Sequence, residues 1–549
     1  MKNSNNHPKS GIKYLRYYFF KFSICIGITL VLISCKQEIT EENDNYAEIP
    51  APITFSPEIP HDVDPALQKL LKSEGKIYEL NQAFNKYSWQ AFVAINWPVD
   101  SLGTPLPNFT DKGTPSWMNW KESFEVYRQD GKKPTGWDSP RTVLEIVDGM
   151  VPIPPEAHQS NTTRIISSKG TPTHGGNINI VDEEGQAFSG PLYDQNGNII
   201  RYEILLNKEE FDYIMDNSLY NINGQIEFSS QPGFTAVNFP SGEYGGKNEG
   251  AIEIKLAWKI LESTDYKDRY FTSQGYVINN KTGKWEIKDL GLIGFHISQK
   301  TKTGKQWVWS TFEHIDNLRE HNIEKNGETI RIKPTLTDPD CELCPVNTRI
   351  DLLVDGVRTT KYTNGPHGPY WSTLNGKDTV KTYAKSNIPQ TQAKRMVDIP
   401  KRVRKLNQSL KGYFTKQKSI WRYYELIDTQ YPLDQNVKPA DTSKNVLPQV
   451  VANKPGGDAN LALLTNLSME TFFQKGNQPA SSLIEGNAPN NIGIFGTESC
   501  MGCHSSAGVY IKGKLTNGYP PKSGQLTADF SWLLAQKAQW EEGKPKNNQ

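Results

Sequence analysis

Ile252-Glu253-Ile254-Lys255-Leu256-Ala257-Trp258 decides the architecture of this 549-residue chain. Its apolar side chains alternate with Glu253, Lys255 and Ala257, the period of two that suits a strand with one face on a core. Strand-like runs recur around it at Arg201 to Leu206, Phe234 to Phe239, Tyr270 to Asn279 and Leu290 to Ser298, punctuated by Gly, Asn and Lys. From about Arg141 to Pro334 the pattern predicts an antiparallel, sandwich-like body.

One hairpin in that body carries chemistry. Leu292-Ile293-Gly294-Phe295-His296-Ile297 is followed by a Lys/Thr/Gly turn and then Trp307-Val308-Trp309-Ser310-Thr311-Phe312-Glu313-His314. With Ile293, Phe295 and Ile297 inward, His296 lies on the other face beside Gly294, and Gly in a strand marks close approach by a ligand or another backbone. Hairpin register decides whether Glu313 or His314 joins His296. The group is a candidate axial ligand set, proton relay or metal site; a polar pair packed against Trp side chains is the plainer reading.

Helices flank the body. Leu80, Phe84, Tyr87, Ala91 and Ala94 recur at helical spacing and stop at Trp97-Pro98. Thr114-Pro115 reads as a cap and first turn, placing Trp117, Trp120, Phe124 and Tyr127 on one face. Residues 335–400 are rich in loops, with Gly365-Pro366-His367-Gly368-Pro369 the clearest irregular segment. Lys401 to Phe414 predicts a helix with Val403, Leu406 and Leu410 inward and Lys401, Arg402, Arg404, Lys405 and Lys411 largely outward. That charge run is a solvated face, or a surface for haem propionates or an acidic partner. A strand-like stretch follows from Ile420 to Ile427.

Near the carboxyl end stands Cys500-Met501-Gly502-Cys503-His504, the spacing of a covalently attached c-type haem. Two thiols one turn apart each add to a vinyl group, and the adjoining His504 becomes the proximal ligand of the iron. A zinc site needs two further ligands, and a thioredoxin-type pair has no use for the His. Helices are expected at Ala459 to Phe473 and Thr527 to Trp540. No Met follows Met501, so the sixth iron position is filled from upstream or left open. Met469 is the first candidate, then His296 and His314; Met469 otherwise reads as core.

The amino terminus reads as an address. Lys9, Lys13, Arg16 and Lys21 precede an apolar run from Phe22 to Ile33, too short for a comfortable membrane span, which ends in Leu32-Ile33-Ser34-Cys35. Residues 1–34 are therefore expected to be a lipoprotein signal peptide, with Cys35 lipidated. An ordinary signal peptide or anchor is the alternative. Glu38, Glu41, Glu42 and Asp44 resemble an export tag of Bacteroidetes surface lipoproteins. Export agrees with haem attachment, which takes place outside the cytoplasm. Cys341 and Cys344, followed by Pro345 rather than His, are then expected as a short-loop disulfide, with a redox-active pair as the alternative. The 61 basic and 60 acidic side chains give no global charge that points to nucleic acid.

Three stretches carry a family likeness: Tyr87 to Pro98 (YSWQAFVAINWP), Trp307 to Asn317 (WVWSTFEHIDN), and Gly496 to Gly508 (GTESCMGCHSSAG) with Ala528-Asp529-Phe530-Ser531-Trp532. Together they resemble exported bacterial proteins of the cytochrome c family, over most of the mature chain. The resemblance implies haem binding and an extracytoplasmic place but no substrate. The expected chain is α+β and multidomain: signal peptide 1–34, flexible tether 35–70, β-rich body 71–400, a helix, strand and linker 401–457, and a small helical cytochrome c-like module 458–549. The expected function is a mono-haem cytochrome anchored to the outer membrane by its lipid and passing electrons to a redox partner protein. The alternatives are a haem peroxidase or oxidoreductase using His296, Glu313 or His314 as acid or base, and a surface binding protein with an accessory haem.

Overall fold

In the computed structural model, the described residues are 53–141, 164–166, 192–278, 285–340, 347, parts of 353–381, 390–395, 398–432, 464–471, 500–504, 507–524 and 527–544. The expected signal peptide, Cys35, Cys341, Cys344, His367 and the expected linker after 432 lie outside them. The helices are α1 Pro65–Ser73, α2 Ile77–Ile95, α3 Ser123–Val126, α4 Lys208–Asp216, α5 Ile222–Ser229, α6 Lys401–Lys416, α7 Cys500–His504 and α8 Leu533–Lys537. The main sheet is built from β1 Lys121–Glu122, β2 Arg164–Ile166, β3 Arg201–Leu206, β4 Ile252–Ile260, β5 Thr272–Ile278, β6 Trp285–Gln299, β7 Val308–His314 and β8 Tyr424–Gln430.

These eight strands run in the order β8-β7-β6-β4-β3-β1, with β5 alongside the first half of β6 and β2 parallel to β5. The remaining pairings in this sheet are antiparallel. Among the described residues a single large sheet thus stands where a sandwich was expected. Its first face is covered by helices instead of a second sheet. Ile254 and Leu256 of β4, Phe295 and Ile297 of β6, Phe312 of β7 and Leu426 of β8 share a core with Trp89 and Phe92 of α2 and Val403, Leu410 and Phe414 of α6. Apolar residues on alternate strand positions and at helical spacing meet there, so each element hides the other's apolar face.

Local chemistry explains where the elements start and where expectation failed. Asp64 caps α1, its carboxylate accepting the Ala66 N–H at 2.8 Å, with Pro65 in the first turn. The chain is already packed before this helix: Phe55 stacks on Phe414, and the Asp62 carboxylate accepts the Thr303 N–H at 2.9 Å. Phe55, Asp62 and the start of α1 therefore belong to the packed structure, although they fall within the expected tether 35–70. Thr114–Pro115 forms a short strand against Pro98–Val99, because Pro115 is extended and Trp117 donates to Asn96 at 3.0 Å; beyond it come a 3₁₀ turn over Ser116–Asn119 and the short α3. Phe234 to Phe239 is not a strand, and a 3₁₀ turn over Ile420–Tyr423 precedes β8. The Gly365-Gly368 pair closes a hairpin between Thr360–Gly365 and Gly368–Thr373. Arg402, expected outward, is buried and donates to Asn81 and Asp428.

The second face of the sheet carries Lys255 and Ala257 of β4, Gly294 and His296 of β6, and Thr311 and Glu313 of β7, by strict alternation with the core positions. Residues 464–471 and the carboxyl-terminal stretch lie on this face. The expected helix from Ala459 to Phe473 is replaced by turns across 464–471. Asn466 Oδ1 accepts the Ser468 N–H at 2.9 Å, and Glu470 Oε2 accepts the Asn466 N–H at 2.8 Å. Side chains here take donors that a helix would bond to its own carbonyls. The expected helix from Thr527 to Trp540 shortens to α8, because Asp529 and Phe530 take positive φ values of 50° and 69° just before it. Residues Ile49–Gln549 form one compact unit. Met501, Val509, Phe530 and Leu534 from its carboxyl end share a core with Leu206, Phe211 and Trp307.

Candidate haem site

The motif folds as α7, which begins at Cys500 and ends at His504. Its place against the sheet is set by the Met501 N–H, which donates to Gln430 Oε1 of β8 at 2.8 Å. The Met501 side chain is buried in the carboxyl-terminal core, and Cys500 packs against both this core and the helix-covered one. The His504 ring lies beside Trp309 of β7, with centroids 4.4 Å apart and planes at 51°. Trp309 is held in turn by its indole N–H, which donates to the Gln306 carbonyl at 2.9 Å.

His504 Nδ1 is 2.8 Å from the carbonyl oxygen of Phe530. A carbonyl only accepts, so the proton is on Nδ1, and Nε2 carries the lone pair of a neutral imidazole. Enclosure pushes the His504 pKa down to about 4; the Phe530 carbonyl opposes this, while the charges of His296 and Lys255 add to it. His296, Lys255 and Glu470 are thus close enough to act on His504. Both positive-φ residues, Asp529 and Phe530, serve this contact, since they turn the Phe530 carbonyl toward the ring. Backbone held in such conformations gathers at functional sites.

His296 stands on the same face, and its Nε2 meets Glu470 Oε1 at 2.8 Å. Burial alone would raise the Glu470 carboxyl, but His296 and Lys255 together outweigh it and hold it below the ordinary range. A histidine whose outer nitrogen is held by a carboxylate is oriented for a metal or for a proton. Glu470 was missed from the sequence: 174 positions separate it from His296, and its only local signal was its place next to Met469.

The register answers the hairpin question. Glu313 pairs with Gly294 and Thr311 with His296, so Glu313, not His314, shares the His296 face. Glu313 is nonetheless committed: Oε1 accepts the Leu467 N–H and Oε2 accepts from Arg395, both at 2.7 Å. His314 points away and is structural. Its Nε2 donates to the Arg269 carbonyl at 2.9 Å, its Nδ1 accepts the Asp316 N–H at 3.1 Å, and its ring stacks on Tyr270. Burial pushes its pKa down to about 4. With both nitrogens occupied, His314 is removed as an iron ligand or an acid.

Met469 is fully buried with Leu192, Tyr202, Ala257 and Ile293, and its methyl group lies over Gly294. His296 is two residues along β6 from that point, and Ser298, two residues further, pairs with Trp309 beside His504. His296 therefore lies between Met469 and His504 along the strand. Helix α6 packs on the opposite face, so its basic residues are not beside His504.

The residues present fit a covalently attached haem. α7 sets the two motif cysteines one turn apart, and His504 offers an oriented neutral nitrogen with an aromatic wall beside it. Among the described residues no group of three or more His, Cys, Asp and Glu is arranged to hold a bare metal ion. Comparisons with models of protein families, with curated proteins and with solved structures find no match to this chain.

Proposed function

We propose that this chain is an exported, lipid-anchored, mono-haem c-type cytochrome that carries electrons outside the cytoplasm. The observation that carries the reading is CMGCH on a helix whose His504 is fixed through Nδ1 with Nε2 left over. Cys500 and Cys503 hold the haem and His504 is the proximal ligand. When bound, the haem supplies a one-electron couple, and the protein supplies orientation and electrostatics. The carboxyl-terminal stretch is the haem-bearing part, and the sheet behind it shields that part from water and sets its charge environment. The basic run and lipobox-like end at Cys35 support export and anchoring at the outer membrane, where a redox partner protein docks.

Where the chain supplies a second nitrogen to the iron, His296 would offer Nδ1, because Glu470 holds its other nitrogen as carboxylates hold metal-bound histidines. A second reading rests on the same pair. If the sixth position is open, His296 and Glu470 form an acid–base relay beside it, and the protein is a peroxidase or oxidoreductase. A spectrum of the reduced protein with and without carbon monoxide separates the two. The carrier predicts no change on adding the gas, and a shifted Soret band supports the enzyme.

A further inference from the structure

A second polar cluster is buried on the same face of the sheet. Glu210 of α4, Glu253 of β4 and Asp529 before α8 are all withdrawn from solvent. Lys300 bonds Asp529 and Asn238, and it is the cation held in this cluster. Asp529 is thereby paired, and it also accepts the Phe239 N–H at 2.7 Å. Among the described residues neither glutamate is paired with a cation. They lie within hydrogen-bonding reach of each other. Yet no donor of the described residues reaches either oxygen of Glu210 or Oε1 of Glu253. The nearby Tyr127 hydroxyl, also buried, has no partner among the described residues either.

Two facing carboxylates, three of whose four oxygens have no donor among the described residues, are what remains when a proton between them is not drawn. A proton on the pair supplies the missing donor and removes one of two facing charges. We infer that Glu210 and Glu253 form a proton-binding site that holds one shared proton and gains or loses it with the charge at the His504 site. The inference rests on the haem reading above only for its second half.

The titration supports the geometry. Burial first, then the facing Glu253 carboxylate and Asp529, push Glu210 far above the carboxylate range, and burial raises Glu253 as well. The groups that face the pair are Tyr127 before β2, Asp529 and Ser531 before α8, and Lys300 after β6. The coupling route is short: Asp529 precedes Phe530, whose carbonyl holds His504. A unit charge on the order of 10 Å away changes a buried group's proton affinity roughly tenfold. When one electron arrives from a one-electron donor, the negative charge raises the pair's affinity and a proton from water is taken up. Oxidation releases both. The reduction potential therefore falls as pH rises, by about 59 mV in all across the range where the pair titrates, the equivalent of a tenfold change in proton affinity.

The test uses the full-length holoprotein, poised with mediator dyes at an electrode. Infrared reduced-minus-oxidised difference spectra at neutral pH should contain a carboxylic-acid C=O band that Glu210→Gln and Glu253→Gln each change or abolish. The potential should fall with pH in the wild type and be flatter in both variants. Glu249, pushed up to about 7 chiefly by burial, titrates nearby in pH, so Glu249→Gln should leave the slope intact. A haem-bearing protein with no such band overturns the shared proton. A band with an unchanged slope in both variants overturns the linkage. Should Glu210→Gln fail to fold, Glu253→Gln carries the same comparison. A preparation with no covalent haem sinks the functional reading and the linkage together, while the wild-type-minus-Glu253→Gln infrared absorption difference of the haem-free protein still decides the shared proton.

Discussion

His504 donates its Nδ1 proton to the carbonyl of Phe530, 2.8 Å away, and Phe530 reaches that position with a φ of 69°. The turn is secured from behind by Asp529, which bonds Lys300 and the Phe239 N–H.

Replacing Asp529 by Ala should therefore act at two levels. It leaves Lys300 as an unpaired buried cation, at a cost of about 3–5 kcal/mol. It also frees the carbonyl that orients His504. Denaturant unfolding should show the loss, and adding Lys300→Met should recover part of it. Full stability in Asp529→Ala would show that the pair does not secure the turn.

Met469 and His296 separate by their variants. Met469→Ala should leave the spectrum of the holoprotein unchanged while lowering stability by about 2–5 kcal/mol, the range for emptying a buried Met site. His296→Ala should open the sixth position and permit carbon monoxide to bind. The reverse pattern would make Met469 the ligand.

Gly294 is small because residues 464–471 lie directly on it. A Cβ there would clash with Ser468 Oγ and sit 3.1 Å from the Met469 methyl group. Gly294→Ala should cost about 1–3 kcal/mol through overpacking, read by thermal unfolding. A neutral result would mean that this segment does not sit on the sheet.

His314 predicts a pH effect. Its folded pKa of about 4 lies below the ordinary 6.5, so the unfolded chain takes the proton first as pH falls. The stability it contributes is complete above about 6.5 and is lost progressively toward pH 4, by about 3 kcal/mol. Asp194, raised by burial to about 6, and Glu249 act in the opposite sense over this range. The comparison of wild type with His314→Gln isolates the His term: urea midpoints of the two should converge as pH drops from 7.5 to 4.5. A constant gap would contradict a neutral buried His314.

The parts legible in the sequence were those with a period. Ile252 to Trp258 read correctly because every second side chain enters one core, and Leu80 to Ala94 did because that helix face is buried, Leu80, Phe84 and Tyr87 in one cluster and Ala91 and Ala94 in the core shared with the sheet. Periodicity failed at 464–471, where the Asn466 and Glu470 side chains take backbone donors, and at 527–532, where Asp529 and Phe530 turn left-handed. Neither event leaves an apolar pattern. His296 was legible as a polar residue on a strand beside Gly294. Its partner Glu470 and the Phe530 carbonyl were not, because one is distant in the chain and the other is backbone.

The most direct measurement is the pyridine haemochrome spectrum of denatured protein produced in a host equipped for cytochrome maturation. The account predicts one haem per chain that stays with the polypeptide through denaturation, and loses that retention when Cys500 and Cys503 are both changed to Ala. Denatured wild-type protein with no haemochrome band would contradict it.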